Sequence, residues 1–202
     1  MNSSQFQNQE INSSSAPQTK GQVIHIPMVY ELIVWAITRG KEMAFRKFIA
    51  EVAELKAGES ILDVGCGTGT MALLAKEYVG EAGQVSGIEP SLEMVTYARR
   101  KARRRNIAIN INPGVIEQLN YPSKYFDVVL CLIVMHHMPD ETKVQGIKEM
   151  ARVLKPGGRL VVVDSNLHLL PSFEQEGFTQ VKSGKVPSVP DYDFILWKNG
   201  VI

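Results

Sequence analysis

The stretch ILDVGCGTGTMALLAK, residues 61–76, has a short apolar run, then glycine at every second position, then an apolar helical pattern. A strand that passes through a glycine loop into a helix is the usual setting of a nucleotide-binding loop. The spacing of Gly65, Gly67 and Gly69 is G-x-G-x-G. It therefore differs from the G-x-G-x-x-G of dinucleotide enzymes, and an NAD(P) site is disfavoured.

Two acidic residues flank this loop in the sequence. Asp63 stands two positions before Gly65, where a carboxylate would repel a pyrophosphate and attract a cation. Glu89 ends the next apolar run, 24 positions after Gly65, where it can accept hydrogen bonds from both hydroxyls of a ribose. Each acid alone has a simple structural explanation, as a helix cap or a solvated strand end. Together they predict a nucleoside with a positively charged tail, an amine or a sulfonium.

From residue 60 onward, apolar runs alternate with helical stretches. The predicted strands are SILDV, QVSGI, IAINI, FDVVLCL and RLVVVD, and the predicted helices cover residues 70–79, 91–105 and 141–154. This alternation predicts an α/β fold with a Rossmann-like, doubly wound and mostly parallel sheet. A turn at Pro156-Gly157-Gly158 should end the last of these helices and start the fifth strand. A short helix closed by Gly177 and the strands FTQVKS and YDFILWK follow.

The chain is predicted to form a single domain over residues 21–202, preceded by a tail. Residues 1–20 are rich in Asn, Ser and Gln and predict a disordered polar tail. Residues 21–58 are expected to form an N-terminal helical cap, with an apolar segment at 28–38. An amphipathic helix follows, marked by apolar residues at i, i+3, i+4 and i+7: Phe45, Phe48, Ile49 and Val52.

Composition excludes some broad classes. The net charge is +1, from 22 basic and 21 acidic residues, so no DNA partner is expected. Cys66 lies in the glycine loop and Cys131 in an apolar run. These positions favour two reduced thiols over a disulfide framework. No secretory signal or membrane-spanning run is visible, and a cytoplasmic location is expected.

The runs LDVGCGTGT, GIEPSLEMV, FDVVLCLIVMHHMPD and ARVLKPGGRLVVVD resemble class I S-adenosylmethionine-dependent methyltransferases, most of all the ubiquinone/menaquinone-biosynthesis type. The resemblance covers residues 28–198 and implies seven strands, mostly parallel, with one antiparallel strand near the C-terminus. It implies S-adenosylmethionine as the cofactor, with S-adenosylhomocysteine as the product. The cofactor-binding candidates are Asp63, Gly65, Cys66, Gly67, Thr68, Gly69, Glu89, Pro90, Met94, Val115, Ile116 and Cys131.

Within this resemblance, Asp63 and the loop backbone would hold the methionine end, Glu89 the ribose, and Pro90 and Met94 would pack near the adenosine. One position departs from the family. Members often carry Gly-Asp-Ala-Glu after the third strand, with the Asp side chain on the adenine amino group, whereas residues 114–117 here are Gly-Val-Ile-Glu. Val115 cannot accept that hydrogen bond. Either a backbone carbonyl replaces it, or Val115 and Ile116 enclose the ring.

Methyl transfer from a sulfonium is an in-line displacement, so an enzyme can contribute mainly by positioning. A base is needed only where the acceptor must lose a proton. His136 and His137 are the candidates, since the resemblance places them at the mouth of the active site. The alternative is that one packs inside on a backbone group while the other is solvated. No Cys, Asp or Glu cluster with ligand spacing accompanies them, so no metal is expected.

The N-terminal helical cap has two possible roles. In related enzymes the N-terminal helices cover the acceptor pocket, so Tyr30 and Trp35 would form part of a lid. The competing interpretation is plain core packing of an apolar helix. The connection after Asp164 is short. The acceptor pocket is therefore either open or completed by another subunit, as in a homodimer.

The run RRKARRR, residues 99–105, has six basic residues in seven. Its ordinary interpretation is a solvated helix face that complements the helix dipole. The alternative is a phosphate-binding patch for RNA or anionic lipid, and the absence of interleaved aromatic residues disfavours RNA.

The sequence as a whole favours a methyltransferase acting on a small, apolar or aromatic acceptor. An NAD(P)-dependent oxidoreductase ranks behind it because of the glycine spacing and Asp63. Two further alternatives stay open: a non-catalytic, cofactor-binding regulatory protein with the same fold, and a phospholipid N-methyltransferase that uses the basic run.

Overall fold

The computed structural model describes residues 17–165 and 170–200. The helices are α1 (Pro27–Ile37), α2 (Glu42–Val52), α3 (Thr70–Val79), α4 (Leu92–Arg104), α5 (Asp140–Val153) and α6 (Leu170–Gln175). The strands are β1 (Ser60–Val64), β2 (Gln84–Glu89), β3 (Asn110–Pro113), β4 (Phe126–Leu132), β5 (Leu154–Asp164), β6 (Phe178–Val186) and β7 (Val189–Asn199).

The strands form one sheet in the order β3-β2-β1-β4-β5-β7-β6. Strands β1 to β5 pair in parallel. β7 pairs antiparallel with both β5 and β6, so it alone runs against the others. The predicted fold class, including the single antiparallel strand near the C-terminus, is confirmed. The strand order reverses between β1 and β4, and the crevice at their carboxyl ends is where such sheets bind ligands.

Both faces of the sheet are buried, as expected for a parallel sheet covered by helices. Successive side chains of a strand point to opposite faces. In β1, Ile61 packs with α2, α3 and α4, while Leu62 packs with α5 and α6. In β4, Leu130 and Cys131 divide in the same way. The strands of this region are therefore rigid supports for whatever follows their ends.

Two boundaries differ from the predictions. The third strand was expected at residues 107–111, but β3 starts at Asn110, because the Ile107 N–H bonds the carbonyl of Ala102 and finishes the turn after α4. β5 begins at Leu154, before the predicted turn. Leu154 pairs with Phe126, and the Pro-Gly-Gly turn is an irregularity inside the strand, with Gly157 at φ +72°.

The N-terminal region contains the two expected helices. α2 buries the predicted apolar stripe, with Phe45 and Ile49 fully inside. α1 buries only Val34, so the core-packing interpretation of this helix is wrong for most of its surface. Residues 1–16 of the predicted tail lie outside the described residues, and the proposed domain limits stay predictions. Within the described residues, none of the helices has the length and apolar character needed to cross a membrane.

Candidate active site

The glycine loop lies at the carboxyl end of β1 and has no room for side chains at its three glycine positions. Gly65, Gly67 and Gly69 all have positive φ, at +67°, +52° and +75°. A Cβ on Gly65 would lie 2.6 Å from a methyl of Val134, and one on Gly67 would lie 3.0 Å from the ring of Tyr30. Only glycine satisfies both the backbone conformation and the close approach at these positions.

Asp63 is the next-to-last residue of β1, immediately before the glycine loop. Its side chain is buried, and Oδ2 has no hydrogen-bond partner among the described residues. Burial raises its pKa from 3.8 to about 7, against the opposing charge of Arg46. A buried acceptor without a partner is costly. A cationic ligand group would supply that partner, so the site fits a ligand with an ammonium or sulfonium.

Glu89 joins the end of β2 to the glycine loop. Its Oε2 accepts a hydrogen bond from the Gly67 N–H at 3.0 Å, and Oε1 accepts one from the Ser91 N–H at 3.1 Å. Burial raises the pKa of Glu89. Each carboxylate oxygen has a second lone pair. Glu89 can therefore shape the loop and still accept hydrogen bonds from two ribose hydroxyls.

A cavity opens from the loop and runs along the ends of β1, β2 and β4. Of the sequence candidates, its wall contains Gly65, Gly67, Glu89, Pro90, Met94, Val115 and Ile116. Gly114 and Glu117, from the segment 114–117 that differs from the family pattern, line it too. Val115 and Ile116 are almost fully buried apolar side chains, a geometry that suits enclosing a ring better than hydrogen bonding it.

Five candidates are not part of the cavity wall: Asp63, Cys66, Thr68, Gly69 and Cys131. Cys66 packs beneath the loop against Gly87, and burial raises the pKa of its thiol. The Thr68 hydroxyl lies 3.5 Å from that of Thr70. Cys131 is fully buried in the core beside α5. It pairs with Val64 of β1, which does line the cavity, but its own side chain is not part of the wall. Both cysteines are free, as expected.

Arg46 was missed by the sequence reasoning. It lies on α2, is 7% exposed, and its charge acts on both Asp63 and Tyr30. Its Nε has no hydrogen-bond partner among the described residues. The one available signal was a charge four positions before the buried Ala50, on the inward side of an amphipathic helix. Tyr30 of α1, whose phenol pKa burial raises, reaches the same place.

The two histidines lie in a short 3-10 helix, Met135–His137, just after β4. Nδ1 of His136 is 3.0 Å from Oδ1 of Asp164. Oδ2 of the same carboxylate accepts the backbone N–H of His136 at 3.1 Å, while Asp164 itself is fully buried. His137 lines the cavity, with its ring 3.8 Å from that of His136. The alternative of a histidine bonded to backbone beside a solvated partner is therefore wrong.

The electrostatics of His137 favour the neutral ring. Burial lowers its pKa below 6.5, the positive charge of His136 lowers it further, and Asp164 opposes both. A neutral imidazole at neutral pH can accept a proton. Asp164 was not among the sequence candidates, although it ends an apolar strand in the same way as Asp63 and Glu89 do. The described residues contain no cluster of metal-binding side chains.

The basic run divides into two groups. Arg99 donates to the Ile111 carbonyl at 2.7 Å, and Lys101 bonds Glu31 at 2.9 Å and Thr70 at 2.8 Å. These two side chains hold α4 to β3 and to α1. The other four, Arg100, Arg103, Arg104 and Arg105, are exposed. The interpretation as a wholly solvated helix face is thus correct for four of the six basic residues.

Comparison with known proteins agrees with this geometry. Residues 61–158 match the family model described as a methyltransferase domain. The chain is 34% identical over 173 residues to a demethylmenaquinone methyltransferase of Shouchella clausii, covering 82% of this chain and 72% of the relative.

Solved structures share the fold at lower identity. An S-adenosylmethionine-dependent methyltransferase from Aquifex aeolicus superposes with a TM-score of 0.73 at 18% identity, over 86% of this chain and 98% of that one. The [4+2]-cyclase SpnF gives 0.70 at 22%, over 79% and 82%. The sequence relationship to the Shouchella enzyme extends well beyond the glycine loop. The chain belongs to the class I S-adenosylmethionine-dependent methyltransferases of the menaquinone and ubiquinone type, and S-adenosylmethionine is its cofactor.

Proposed function

We propose that this enzyme methylates a small aromatic acceptor of quinol type that carries apolar groups. The observation that carries the proposal is the composition of the cavity beyond the glycine loop. Its wall there is formed by Val23, Ile24, Ile133, Val134 and Met138, with His137 among them. Thr19 and Gln22 also line the cavity, and a mostly apolar wall with a few polar groups is typical of a pocket for a small ring. The similarity to a demethylmenaquinone methyltransferase supports the same acceptor class.

The cofactor would be held by the residues already described. Asp63 would pair with the ammonium group, Glu89 would accept the ribose hydroxyls, and Met94, Val115 and Ile116 would enclose the adenine. Bound S-adenosylmethionine would supply an electrophilic methyl group for in-line transfer to the acceptor, with S-adenosylhomocysteine as the leaving group. The bare backbone at Gly65 and Gly67 lets both partners approach the crevice closely.

His137 is the proposed base. When a phenol loses its hydroxyl proton, its oxygen and the ring carbon beside it become good nucleophiles. A neutral imidazole in an apolar wall can take that proton. His136 is a positioning residue. The Asp164 carboxylate holds the 3-10 helix at the end of β4 through the His136 backbone N–H, and the His137 ring lies against the His136 ring at a tilt of 42°. The neighbouring His136 also contributes to the lowered pKa of His137.

The decisive experiment is a methyl-transfer assay with the purified protein, S-adenosylmethionine and a panel of acceptors, with the products identified by mass spectrometry. The panel contains a demethylated naphthoquinol with a short isoprenoid chain, the same compound in its quinone form, and phosphatidylethanolamine. We expect the quinol alone to be methylated, because the quinone lacks the hydroxyl proton that His137 would accept. Methylation of phosphatidylethanolamine instead would contradict the proposal and favour phospholipid N-methylation.

A different reaction on the same fold is the second candidate, because SpnF, at 22% identity, is named as a [4+2]-cyclase. Cofactor binding without turnover of any acceptor would favour it. A cytoplasmic location and a homodimer stay predictions.

A further inference from the structure

The outer face of α1 exposes a cluster of large apolar side chains. Met28 is 78% exposed, Leu32 63% and Trp35 60%. Of the nine large apolar residues exposed among the described residues, six fall in residues 26–35: Ile26, Met28, Val29, Leu32, Ile33 and Trp35. A contiguous apolar patch on a soluble surface marks a contact with another apolar phase.

The opposite face of α1 is used by the enzyme itself. Val34 is buried, and the Tyr30 ring lies against Gly67 at the cavity wall. α1 is therefore apolar on both sides, and most of its outer side is exposed, although the edge of the Trp35 ring lies beside Gly40. The outer side is available for a separate contact while the inner side covers the cofactor loop.

Positive charge borders this outer face. Glu31 of α1 bonds Tyr97 at 3.0 Å and Lys101 at 2.9 Å, so α1 and α4 lie side by side. Arg100 borders a shallow groove together with Pro27 at the start of α1, and the charge of Arg104 acts on Tyr97. Arg100 and Arg104 are thus one helical turn apart on the side of α4 that faces α1. Both are exposed, and neither has an ion pair among the described residues.

We propose that the α1 outer face, together with Arg100 and Arg104, docks the enzyme on an anionic lipid membrane. An eleven-residue helix is much too short to span a bilayer, which needs about 20 residues. An apolar face that includes a tryptophan and is bordered by arginines has the composition of helices that lie in the membrane interface. The arginines would bind the lipid phosphates and the apolar side chains would enter between the acyl chains.

The charge also decides between a membrane and a second copy of the chain. A twofold contact through the α1 outer face would bring Arg100 and Arg104 of both copies to the rim of one interface. Like charges placed together in this way oppose association. An anionic surface attracts the same residues. Docking would also bring the mouth of the cavity to the lipid, so that an apolar acceptor could enter without crossing water; this last step rests on the proposed function, whereas docking does not.

The first test is cosedimentation of the full chain with vesicles of phosphatidylcholine, with and without phosphatidylglycerol. We expect binding to the anionic vesicles and a loss of binding at high salt. Arg100→Glu with Arg104→Glu should weaken binding by more than about tenfold. Arg103→Glu is the matched control, since this exposed arginine borders a different groove, beside Ile107 and Asn110. It should change binding much less.

The apolar contribution is tested with Leu32→Ser and Trp35→Ser together, against Val181→Ser, which removes an exposed apolar side chain from β6. The α1 pair should lose binding and the control should keep it. Lipids brominated in the acyl chain should quench Trp35 and leave Trp197, which is fully buried, unaffected. Calorimetric binding of S-adenosylhomocysteine by each variant shows that it is folded, and a failed acceptor assay leaves these measurements intact.

Absence of vesicle binding would overturn the proposal. So would binding that neither the α1 pair nor the arginine pair weakens. Dimers that form without lipid in analytical ultracentrifugation, and that the α1 substitutions abolish, would assign the face to a second copy and overturn it as well.

Discussion

The glycine loop and α1 meet where the Tyr30 ring touches Gly67, yet the two regions are held in different ways. The loop is fixed by backbone hydrogen bonds. Cys66 N–H donates to the Ile88 carbonyl at 3.0 Å and Gly69 N–H to the Cys66 carbonyl at 2.9 Å. α1 is held to the rest of the protein by side chains. The chief ones are Glu31, which bonds Tyr97 and Lys101 of α4, and the buried Val34.

This contrast separates two tasks of the site. Strand ends and backbone hydrogen bonds provide a fixed geometry, which a cofactor common to a large family requires. A helix attached through a few side chains can present different surfaces to different acceptors and neighbours without disturbing the loop. Substitutions in the loop should therefore affect folding and cofactor binding together, and substitutions in α1 should affect neither strongly.

The largest expected effect is on the loop. Gly65→Ala forces a Cβ to within 2.6 Å of Val134 at a positive φ, and should destabilise the protein by about 3 kcal/mol. Urea unfolding measures this. Gly58→Ala is the matched control, because Gly58 also has positive φ, at +84°, but a Cβ there meets nothing within 4 Å. Equal losses for both variants would mean that backbone strain, and not the close approach, requires the glycine.

The next effect concerns the proposed base at the end of β4. His137→Gln should lower kcat by about 100-fold while leaving S-adenosylhomocysteine affinity unchanged. Because the pKa of His137 lies below 6.5, the wild-type rate should fall only in acid, with a plateau at neutral pH and above. The variant should lose this acid limb. A His137→Gln enzyme that keeps the full rate and the same pH profile would exclude His137 as the base.

Asp63 should make cofactor binding depend on pH. A cationic ligand needs the ionised carboxylate, so the affinity for S-adenosylhomocysteine should fall about tenfold per pH unit below about 7. Asp63→Asn should bind weakly at all pH values, without this slope. Calorimetry in two buffers of different ionisation enthalpy measures the proton released on binding. A wild-type affinity that stays flat between about pH 5 and about pH 8 would mean that Asp63 does not pair with the cation.

The same raised pKa has an opposite consequence for the free enzyme. Asp63 holds its proton up to about pH 7 in the fold but loses it near 3.8 in the unfolded chain. Stability therefore falls as pH rises through this window, and the loss is complete above it. Asp63→Asn removes the titrating group. The unliganded variant should consequently be more stable than wild type at pH 8, with a smaller difference near pH 4, as thermal unfolding would measure.

The strand-end acids could be found from the sequence because the rule that locates them is general. Asp63 and Glu89 follow apolar runs that must be parallel strands, and such strands end at one edge of the sheet. Asp164 obeys the same rule and would have been found by applying it to the fifth strand. The glycine spacing worked for a similar reason, since a bare backbone at alternate positions has few other uses.

Other features depend on tertiary contacts that have no local signature. Arg46 acts on Asp63 only because α2 packs across β1, and its place on the inward side of α2 does not indicate which group it meets. The exposure of Trp35 could not be predicted, because the pattern of α1 is apolar on every side and does not say which side is covered. Cys131 was a cofactor-binding candidate but is not part of the cavity wall, for a related reason. Alternation along β4 assigns its side chain to a face of the sheet, but the neighbouring layers decide what that face contacts.

The smallest expected effect is at the contact between the two regions. Glu31→Gln removes the charge that bonds Lys101 and Tyr97, and should loosen α1 at a cost of about 0.5 kcal/mol, since the pair is partly solvated. Hydrogen exchange should rise in α1 and stay unchanged in the loop amides of Cys66 and Gly69. Glu51→Gln, on the exposed side of α2, is the control for charge alone. If the loop amides exchange faster as well, the helix and the loop form one cooperative unit, and the separation of tasks between them is wrong.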